Sequence, residues 1–267
     1  MSKIAIIGSG NIGLSLARGL VSKNYCQPSD IILTRRNIKN MEDERSQGFQ
    51  TSEDNNEAAK NAHIIVLAVL PQQLKKVLEQ IAHSIDPSKH LVVSVASGVS
   101  CADVRKSLSE DVEVIRAMPN TAIAIGQSMT CVASDHASSS NLSEVTRLFE
   151  TVGSVVVINE DLMTAATALC ACGIAFFLRS IRAASQGGVE IGFHAHDALK
   201  MAVQTAKGAA DLLLLHQSHP ESEIDKVTSP KGCTIAGLNE MEHNGFSSSL
   251  IKGIKLSALK AGELYKD

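Results

Sequence analysis

Neither positive nor negative charge is in marked excess in this sequence: 25 Lys and Arg residues stand against 28 Asp and Glu residues, for a formal net charge of −3 at pH 7. The sequence also has no polybasic run. Binding to nucleic acid or to an anionic membrane through charge requires a basic surface. We therefore expect neither partner and favour a small-molecule ligand.

A leader with a basic segment followed by an apolar one is also absent from the first residues, which lead directly into a strand-like run. This pattern favours a cytoplasmic protein. A chain of 267 residues is long enough to bury an ample core without disulfide staples, and its six cysteines show no CxxC spacing. We therefore expect reduced thiols.

Metal binding is the other use of cysteine that we considered. The segments Cys170-Ala171-Cys172 and His194-Ala195-His196 contain the side chains that suit zinc. Neither has zinc-finger spacing, since the first lies in an apolar helical run and the second beside a turn. Small cysteines packed in a core explain the first segment better, and we expect no metal.

Strand-like and helix-like patterns alternate through the first 160 residues. The apolar, β-rich runs are separated by segments long enough for crossover helices, some with clear helical periodicity. The seven predicted strands span residues 3–7, 30–34, 63–69, 90–96, 113–117, 128–133 and 154–158. The pattern predicts an α/β fold in which residues 1–159 form a Rossmann-type, doubly wound, mostly parallel sheet.

Residues 160–267 contain no convincing strand and are predicted to form an all-helical C-terminal dimerisation domain. A helix is predicted to start near Asp161 and to continue through residues 162–178, which carry no charge. This run is shorter than the roughly 20 residues needed to cross a bilayer. Further helices are predicted at residues 195–216, 221–228, 234–243 and 247–265.

A helix that is apolar on every face must be buried in protein. A helical domain of this size can cover such a helix only with help from a second subunit. The sequence therefore predicts an obligate homodimer with interlocked C-terminal helices.

The most informative motif is the glycine loop Gly8-Ser9-Gly10-Asn11-Ile12-Gly13, which follows an apolar strand and opens a helical pattern. In such a unit Gly8 allows a tight turn, Gly10 lets a pyrophosphate approach the backbone, and Gly13 lets helix and strand pack closely. The phosphates meet free N–H groups at the helix N-terminus. A plain glycine turn is the alternative, and the context favours dinucleotide binding.

The second predicted strand ends in Thr34-Arg35-Arg36, where an NAD-binding protein usually carries Asp or Glu for the ribose 2′-hydroxyl. Two guanidinium groups at this position suit the 2′-phosphate of NADP. Solvated charges at a strand end are the alternative. The position of the pair favours NADPH as the cofactor, with NADH as a weaker one.

Ligands of open α/β sheets lie at the carboxyl ends of the strands. The loops at these ends contain Ala68-Val69-Leu70-Pro71, Ala96-Ser97-Gly98-Val99 and Met118-Pro119-Asn120-Thr121. Each loop is a candidate site segment, and each is also compatible with an ordinary connection between strand and helix.

A second candidate site lies at residues 227–237, where Pro230 and Gly232 interrupt the helices. Thr234 is placed as a cap or first-turn residue of the next helix, whose free N–H groups suit a carboxylate. Its hydroxyl offers a further hydrogen bond. Simple helix capping explains the same residues.

Taken together, these segments resemble those of pyrroline-5-carboxylate reductases. The match spans nearly the whole chain and includes residues 8–13, 68–71, 116–121, 204–210, 229–234 and 245–246. The last three segments in series are quite specific to that family. The resemblance implies NADPH-dependent reduction of Δ1-pyrroline-5-carboxylate to L-proline, the last step of proline biosynthesis. It also implies dimers through the helical domain, often assembled further into a decamer.

The resemblance implies roles for individual residues as well. The cofactor would contact the glycine loop, Thr34, Arg35 and Arg36 at its phosphates, then Asn55, Ala68, Val69 and Pro71 near the nicotinamide ribose, and Met118, Asn120 and Thr121 at the nicotinamide end. The substrate carboxylate would bind near Ser229, Gly232, Cys233 and Thr234. The Thr234 hydroxyl, near the ring nitrogen, is the candidate catalytic group.

Three segments depart from the family pattern. Leu70 replaces a lysine, Cys170-Ala171-Cys172-Gly173-Ile174-Ala175 replaces Ser-Gly-Ser-Gly-Pro-Ala, and Lys231-Gly232 replaces a double glycine. We expect Lys231 either to strain a glycine conformation or to add a charge for the carboxylate.

Two other functions stay open from the residues alone. A β-hydroxyacid dehydrogenase has a similar plan but needs a base, normally a lysine, on the long helix. This helix offers Arg179, whose guanidinium stays protonated at neutral pH. An NADPH-binding regulatory protein without turnover is the other alternative, motivated by the altered residues at 170–174 and 231.

Overall fold

Eight strands build one sheet in the computed structural model, which describes residues 3–264. They are β1 (Ile4–Ile7), β2 (Ile31–Thr34), β3 (Gln50–Ser52), β4 (Ile64–Leu67), β5 (Leu91–Ser94), β6 (Glu113–Met118), β7 (Ser128–Ala133) and β8 (Gly153–Val157). Their order in the sheet is β3-β2-β1-β4-β5-β6-β7-β8. All neighbours are parallel except β6 and β7. The predicted doubly wound, mostly parallel sheet is confirmed.

The strand that the sequence pattern did not predict is β3. It consists of three polar residues, Gln50, Thr51 and Ser52, and it pairs with β2 at the edge of the sheet. A short polar edge strand has neither an apolar run nor an alternating pattern. Only its backbone pairing with β2 defines it.

Helices cover both faces of the sheet. They are α1 (Asn11–Ser22), α2 (Glu42–Ser46), α3 (Asn55–Lys60), α4 (Pro71–Ile81), α5 (Cys101–Leu108) and α6 (Ser139–Glu150). Successive side chains of a strand point to opposite faces. Accordingly, Ile64 and Val66 join one core cluster with α1 and α6, while Ile65 and Leu67 join another with α4 and α5. Both layers are filled by aliphatic side chains, which holds the carboxyl ends of the strands in place.

The apolar segment that follows the sheet was predicted to be one continuous helix. The structure shows that it is not a regular α-helix throughout. It begins with a 3₁₀ turn at Glu160–Leu162, continues as α7 (Met163–Ala166) and a π-helical segment (Thr167–Cys172), and ends as α8 (Gly173–Glu190). The Thr167 hydroxyl donates to the Met163 carbonyl oxygen at 2.8 Å. A hydroxyl that occupies a backbone acceptor perturbs the regular helical ladder locally, a feature that no hydrophobic pattern reveals.

This segment is also largely uncovered within one chain. Leu169, Phe177 and Leu178 are more than half exposed, and the most apolar stretch of residues 160–190 is only 28% buried. By length and composition alone this helix could cross a membrane. The helix is therefore largely uncovered within a single copy, whereas the prediction buries it with the help of a second subunit.

The helices after α8 are α9 (Ala195–His216), α10 (Pro220–Lys226), α11 (Cys233–His243) and α12 (Phe246–Ala261). All four were predicted, although Tyr265, the predicted end of the last, lies outside the described residues. The chain divides into two compact units. One contains the residues up to Cys172 and those from Lys255 onward, and the other runs from Gly173 to Ile254. The predicted boundary after residue 159 follows the end of β8 at Val157 and stays a prediction.

Candidate active site

The glycine loop has the backbone arrangement that its spacing predicts. Gly8 follows β1 with a φ of +100°, a conformation that favours glycine. A Cβ atom on Gly8 would lie 2.5 Å from the Ala68 carbonyl oxygen, and one on Gly13 would lie 2.4 Å from the Gly8 carbonyl oxygen. A Cβ atom on Gly10 would meet nothing within 4 Å. Gly8 and Gly13 are therefore required by close packing, while Gly10 borders open space.

Helix α1 presents N–H donors to this open space. Gly10 is its N-cap residue, and the Leu14 N–H donates to the Gly10 carbonyl oxygen at 2.9 Å. The N–H groups of Asn11, Ile12 and Gly13 precede that bond and have no helical acceptor. None of the first-turn residues of α1 is acidic. The end of α1 can therefore receive an anion.

Ser9 has a structural part that the motif alone does not reveal. Its backbone N–H and its hydroxyl both donate to the Thr34 carbonyl oxygen, each at 3.0 Å. Ser9 and Thr34 are both buried. These bonds tie the glycine loop to the end of β2 and so place Arg35 and Arg36 beside the loop.

Arg35 and Arg36 are exposed side chains directly after β2. The backbone N–H of Arg35 donates to the Ser52 carbonyl oxygen of β3 at 3.3 Å, which fixes the course of the chain here. Within residues 3–264, neither guanidinium forms an ion pair. Both charges are therefore available to a phosphate.

A cavity of about 770 Å³ lies at the carboxyl ends of the parallel strands. Most of the predicted cofactor residues line it: Gly8, Ser9, Gly10, Asn11, Ile12, Thr34, Arg35, Arg36, Asn55, Ala68, Val69 and Pro71. Gly13, Met118, Asn120 and Thr121 are not part of its lining. The fold thus collects residues from four separate segments around one space.

Seven polar residues of the same lining were missed by the sequence reasoning, and Glu53, Lys76 and Gln80 are three of them. Lys76 and Gln80 come from α4, and Glu53 precedes α3. The Asn55 amide donates to Gln80 Oε1 at 3.1 Å, so Gln80 orients a predicted ribose contact. For Lys76 and Gln80 the only signal in the sequence was the polar face of an amphipathic helix, and any surface helix has one.

Met118 and Thr121 lie at the far end of the predicted cofactor site. Met118 is buried at the end of β6, and the Ser97 hydroxyl contacts its sulfur at 3.9 Å. Ser97 itself lines the cavity, so Met118 is one side chain removed from it. Thr121 is exposed at the start of a 3₁₀ turn. Their contact with the nicotinamide end stays a prediction.

Asn120 is buried, and its side chain holds local structure together. Its Nδ2 donates to the Cys170 carbonyl oxygen at 3.2 Å, and its Oδ1 accepts from the Ala122 N–H at 3.0 Å. Asn120 therefore connects the loop after β6 with the π-helical segment. Its part in cofactor binding stays a prediction too.

The second predicted site is a turn that leads into α11. Gly232 donates its N–H to the Ser229 carbonyl oxygen at 2.9 Å and is the N-cap of the helix. Among the residues that the structure describes, no side chain caps this end, so the N–H groups of Cys233 and Thr234 have no acceptor there. Thr234 is thus a first-turn residue and not the cap. Lys231 has a φ of +59°, the glycine-like conformation expected there.

One cluster outside these sites contains side chains that could ligate a metal ion, and its carboxylates form ion pairs with arginines. Ligand atoms of Cys101, Asp135 and Glu160 lie within 4.8 Å of one another. Arg105 donates to both carboxylate oxygens of Asp135 at 2.6 Å, and Arg116 lies 3.3 Å from Glu160. Burial raises the pKa of Cys101 to about 12, so its thiol stays protonated. We interpret this cluster as a link between α5 and the sheet.

The sheet, the open glycine loop and the arginines at the end of β2 define a Rossmann-type dinucleotide-binding protein. A family model described as NADP oxidoreductase, coenzyme F420-dependent, matches residues 3–98. The class is therefore that of nicotinamide-dependent oxidoreductases.

Comparison of the rest of the chain narrows this class. A family model described as pyrroline-5-carboxylate reductase dimerisation matches residues 160–264. Pyrroline-5-carboxylate reductase 2 of Dictyostelium discoideum is 49% identical, with 97% of this chain and 92% of that protein covered. The chain belongs to the pyrroline-5-carboxylate reductase family, which confirms the resemblance inferred from its motifs.

Two further relatives agree with this assignment. Pyrroline-5-carboxylate reductase 1 of Dictyostelium discoideum is 48% identical over 98% of this chain, which spans only 50% of that longer protein. The structure of a pyrroline-5-carboxylate reductase from Coxiella burnetii has a TM-score of 0.92 at 28% identity. That match covers 100% of this chain and 99% of the other.

Proposed function

We propose that this chain reduces Δ1-pyrroline-5-carboxylate to L-proline with NADPH as the reductant. Besides the family, one observation carries the proposal. The glycine loop leaves open space in front of the free N–H groups of α1, while Arg35 and Arg36 line the same cavity. When bound, the dihydronicotinamide supplies a hydride from its C4 to C5 of the protonated imine.

The preference for NADPH is supported by the surroundings of the two arginines. Arg35 and Arg36 emerge beside the glycine loop because Ser9 ties that loop to Thr34. A dianionic 2′-phosphate there would gain charge-assisted hydrogen bonds that a 2′-hydroxyl cannot make. The same charges offer NADH little, so we propose it as the weaker reductant.

The turn before α11 is the proposed substrate site. Its free N–H groups at Cys233 and Thr234 suit a carboxylate, and the positive end of the helix dipole adds to that attraction. The exposed ammonium group of Lys231 adds a charge that glycine lacks. We propose that the Thr234 hydroxyl hydrogen-bonds the ring nitrogen and so orients the imine.

The proposed reaction needs little acid–base catalysis from the protein. A protonated cyclic imine is already electrophilic, so the protein has to bind it, orient it and exclude water. In this proposal no His, Asp or Glu is essential. Thr234 and the backbone donors of α11 do most of the orienting.

The uncovered apolar helices are proposed to pair in a homodimer. Leu169, Phe177 and Leu178 are exposed, and so are Leu214 and Leu215 of α9, at 77% and 78%. The family model for this half of the chain describes dimerisation, which favours a second copy over a membrane as the cover. Analytical ultracentrifugation should show a dimer or a multiple of it. A monomer with full activity would contradict the proposal.

Assembly of dimers into a decamer and a cytoplasmic location are further proposals. Sedimentation at several concentrations tests the first, since a decamer would persist on dilution if it is the working form. Fractionation of the source cells tests the second, and recovery of the protein with a membrane or an organelle would overturn it.

The decisive experiment follows NADPH oxidation by the purified chain in the presence of pyrroline-5-carboxylate. We expect proline to form in step with NADPH loss, and more slowly with NADH at equal concentration. A β-hydroxyacid with NADP⁺ serves as a control and should not react. NADPH binding without turnover would instead indicate a regulatory protein, and oxidation of the β-hydroxyacid would indicate a dehydrogenase.

A further inference from the structure

Two cysteine sulfurs lie side by side next to the loop after β6. Cys131, in β7, and Cys170, in the π-helical segment, have their Sγ atoms 3.7 Å apart. Cys131 is buried and Cys170 is partly exposed. Both pack in a small apolar cluster with Met118 and Met163. The pair therefore consists of one buried and one partly exposed cysteine.

The two backbones around this pair differ in how far they can move. Cys131 is paired with residues of two neighbouring strands, Met118 of β6 and Val156 of β8. Cys170 lies in a π-helical segment, a conformation with wider hydrogen-bonded rings that is found mostly as local bulges at functional sites. A disulfide has an S–S length near 2.05 Å, so the sulfurs must close by about 1.7 Å. We expect Cys170 to move and Cys131 to keep its place in the sheet.

The two thiols are also chemically unequal. A hydrogen bond from the Cys131 thiol stabilises the Cys170 thiolate and lowers the pKa of Cys170 to about 7. The same interaction, together with burial, raises the pKa of Cys131. Since the thiolate is the nucleophile, Cys170 is the reacting sulfur and Cys131 the resolving one.

We propose that Cys131 and Cys170 form a reversible redox pair, and that a peroxide joins them in a disulfide that slows turnover. The Cys170 thiol loses its proton, and the thiolate attacks one peroxide oxygen, which breaks the O–O bond and gives a sulfenic acid and a hydroxide that takes up this proton as water. The Cys131 sulfur then displaces the sulfenic hydroxyl, which leaves as water. In total two thiols and one hydrogen peroxide give one disulfide and two waters, with two electrons passing from sulfur to oxygen.

The disulfide would affect turnover through Asn120. Its Nδ2 donates to the carbonyl oxygen of Cys170 itself at 3.2 Å, and its Oδ1 caps the next 3₁₀ turn. Closing the disulfide moves Cys170 relative to β7 and so disturbs this bond. The effect on turnover rests on the proposed function and on the predicted contact of Asn120 with the nicotinamide end, where a misplacement of about 1 Å can cost on the order of 100-fold in rate. We expect a loss of turnover of about tenfold or more.

The test treats the full-length chain with hydrogen peroxide, removes the oxidant, alkylates the free thiols and maps the peptides without reduction. The expected product is a cross-linked pair of peptides containing residues 131 and 170, which disappears after dithiothreitol. Turnover of the same samples is measured before oxidation, after oxidation and after dithiothreitol. The peptide map does not depend on the proposed activity, so failure of the redox pair can be told from failure of the reaction.

The matched variants are C170S and C172S, two residues apart in the same segment. Each variant's activity after oxidation is divided by its own reduced activity, so that any direct effect of the substitution cancels. We expect C172S to form the cross-link and lose activity like the original chain, and C170S to do neither. Three results would each overturn the proposal: no 131–170 cross-link, a cross-link through Cys172 instead, or a cross-link with unchanged turnover.

Discussion

Replacing Arg35 and Arg36 together by glutamine should raise the Michaelis constant for NADPH by about 100-fold and leave that for NADH within about threefold. Both side chains are exposed and line the cavity beside the glycine loop. Glutamine keeps similar length and polarity and removes the charge. Because neither guanidinium is in an ion pair within residues 3–264, the change leaves no buried partner charge behind.

The magnitude follows from the exposure of the two groups. A hydrogen bond to a charged group contributes about 1.5 to 3 kcal/mol, and solvent screening places these exposed groups at the lower end. Two such bonds sum to about 3 kcal/mol, or about two orders of magnitude in affinity. NADH has no 2′-phosphate, so it loses neither bond.

The assay compares initial rates with NADPH and NADH over a range of cofactor concentrations at fixed pyrroline-5-carboxylate. Arg45 supplies the control, since its Nε donates to the Thr51 hydroxyl at 2.7 Å and it is not part of the cavity lining. R45Q should leave both constants unchanged. An equal rise for both cofactors in R35Q/R36Q would refute the assignment of these arginines to the 2′-phosphate.

Three further predictions address packing, substrate orientation and pH. Gly13→Ala, whose Cβ would lie 2.4 Å from the Gly8 carbonyl oxygen, should lower the melting temperature by an amount equivalent to about 1 to 3 kcal/mol. G10A, with open space at its Cβ, should stay within about 1 kcal/mol of the original stability; similar melting curves for the two would contradict this. Thr234→Ala should reduce kcat/KM by about 10- to 100-fold, equivalent to about 1.5 to 3 kcal/mol, and unchanged kinetics would remove Thr234 from the mechanism. The hydrogen bonds from Arg105 lower the pKa of Asp135 in the folded protein below its usual 3.8. Their contribution to the free energy of unfolding is therefore complete above pH 3.8 and is lost as the pH falls through the lowered pKa of the folded protein. Asp135→Asn should therefore lower the free energy of unfolding by about 1 kcal/mol at neutral pH and by progressively less in acid. If urea unfolding instead shows a difference between variant and original chain that grows below pH 3.8, the predicted direction of the pH dependence is wrong.

The conformation of the glycine loop and the position of the two arginines were predictable because their signals are local. Gly8, Gly10 and Gly13 each answer a requirement of the strand–turn–helix unit in which they stand, and φ at Gly8 and the close contact at Gly13 bear this out. Arg35 and Arg36 follow β2 directly, so their position in the chain already places them at the carboxyl edge of the sheet.

Other parts of the site depend on contacts between distant residues. The amide of Asn120 reaches the Cys170 carbonyl oxygen, and the amide of Asn55 reaches Gln80, across intervals that show no periodic pattern. Strand β3 exists because β2 offers it a free edge. Such features need the folded sheet before they have a partner, so no window of sequence contains them.

Hydrophobic periodicity and turn chemistry predicted every strand but β3, the helices of the second half and the glycine loop, because each is set by neighbouring residues. The resemblance of several separate motifs indicated the family. The tertiary structure decided which side chains share the cavity, that Ser9 anchors the loop to Thr34, and that Cys131 and Cys170 meet. It also showed that the apolar helix is uncovered in one copy. The physical reason is that burial and side-chain contact depend on the packing of segments far apart in the chain, whereas backbone conformation responds mainly to local residues.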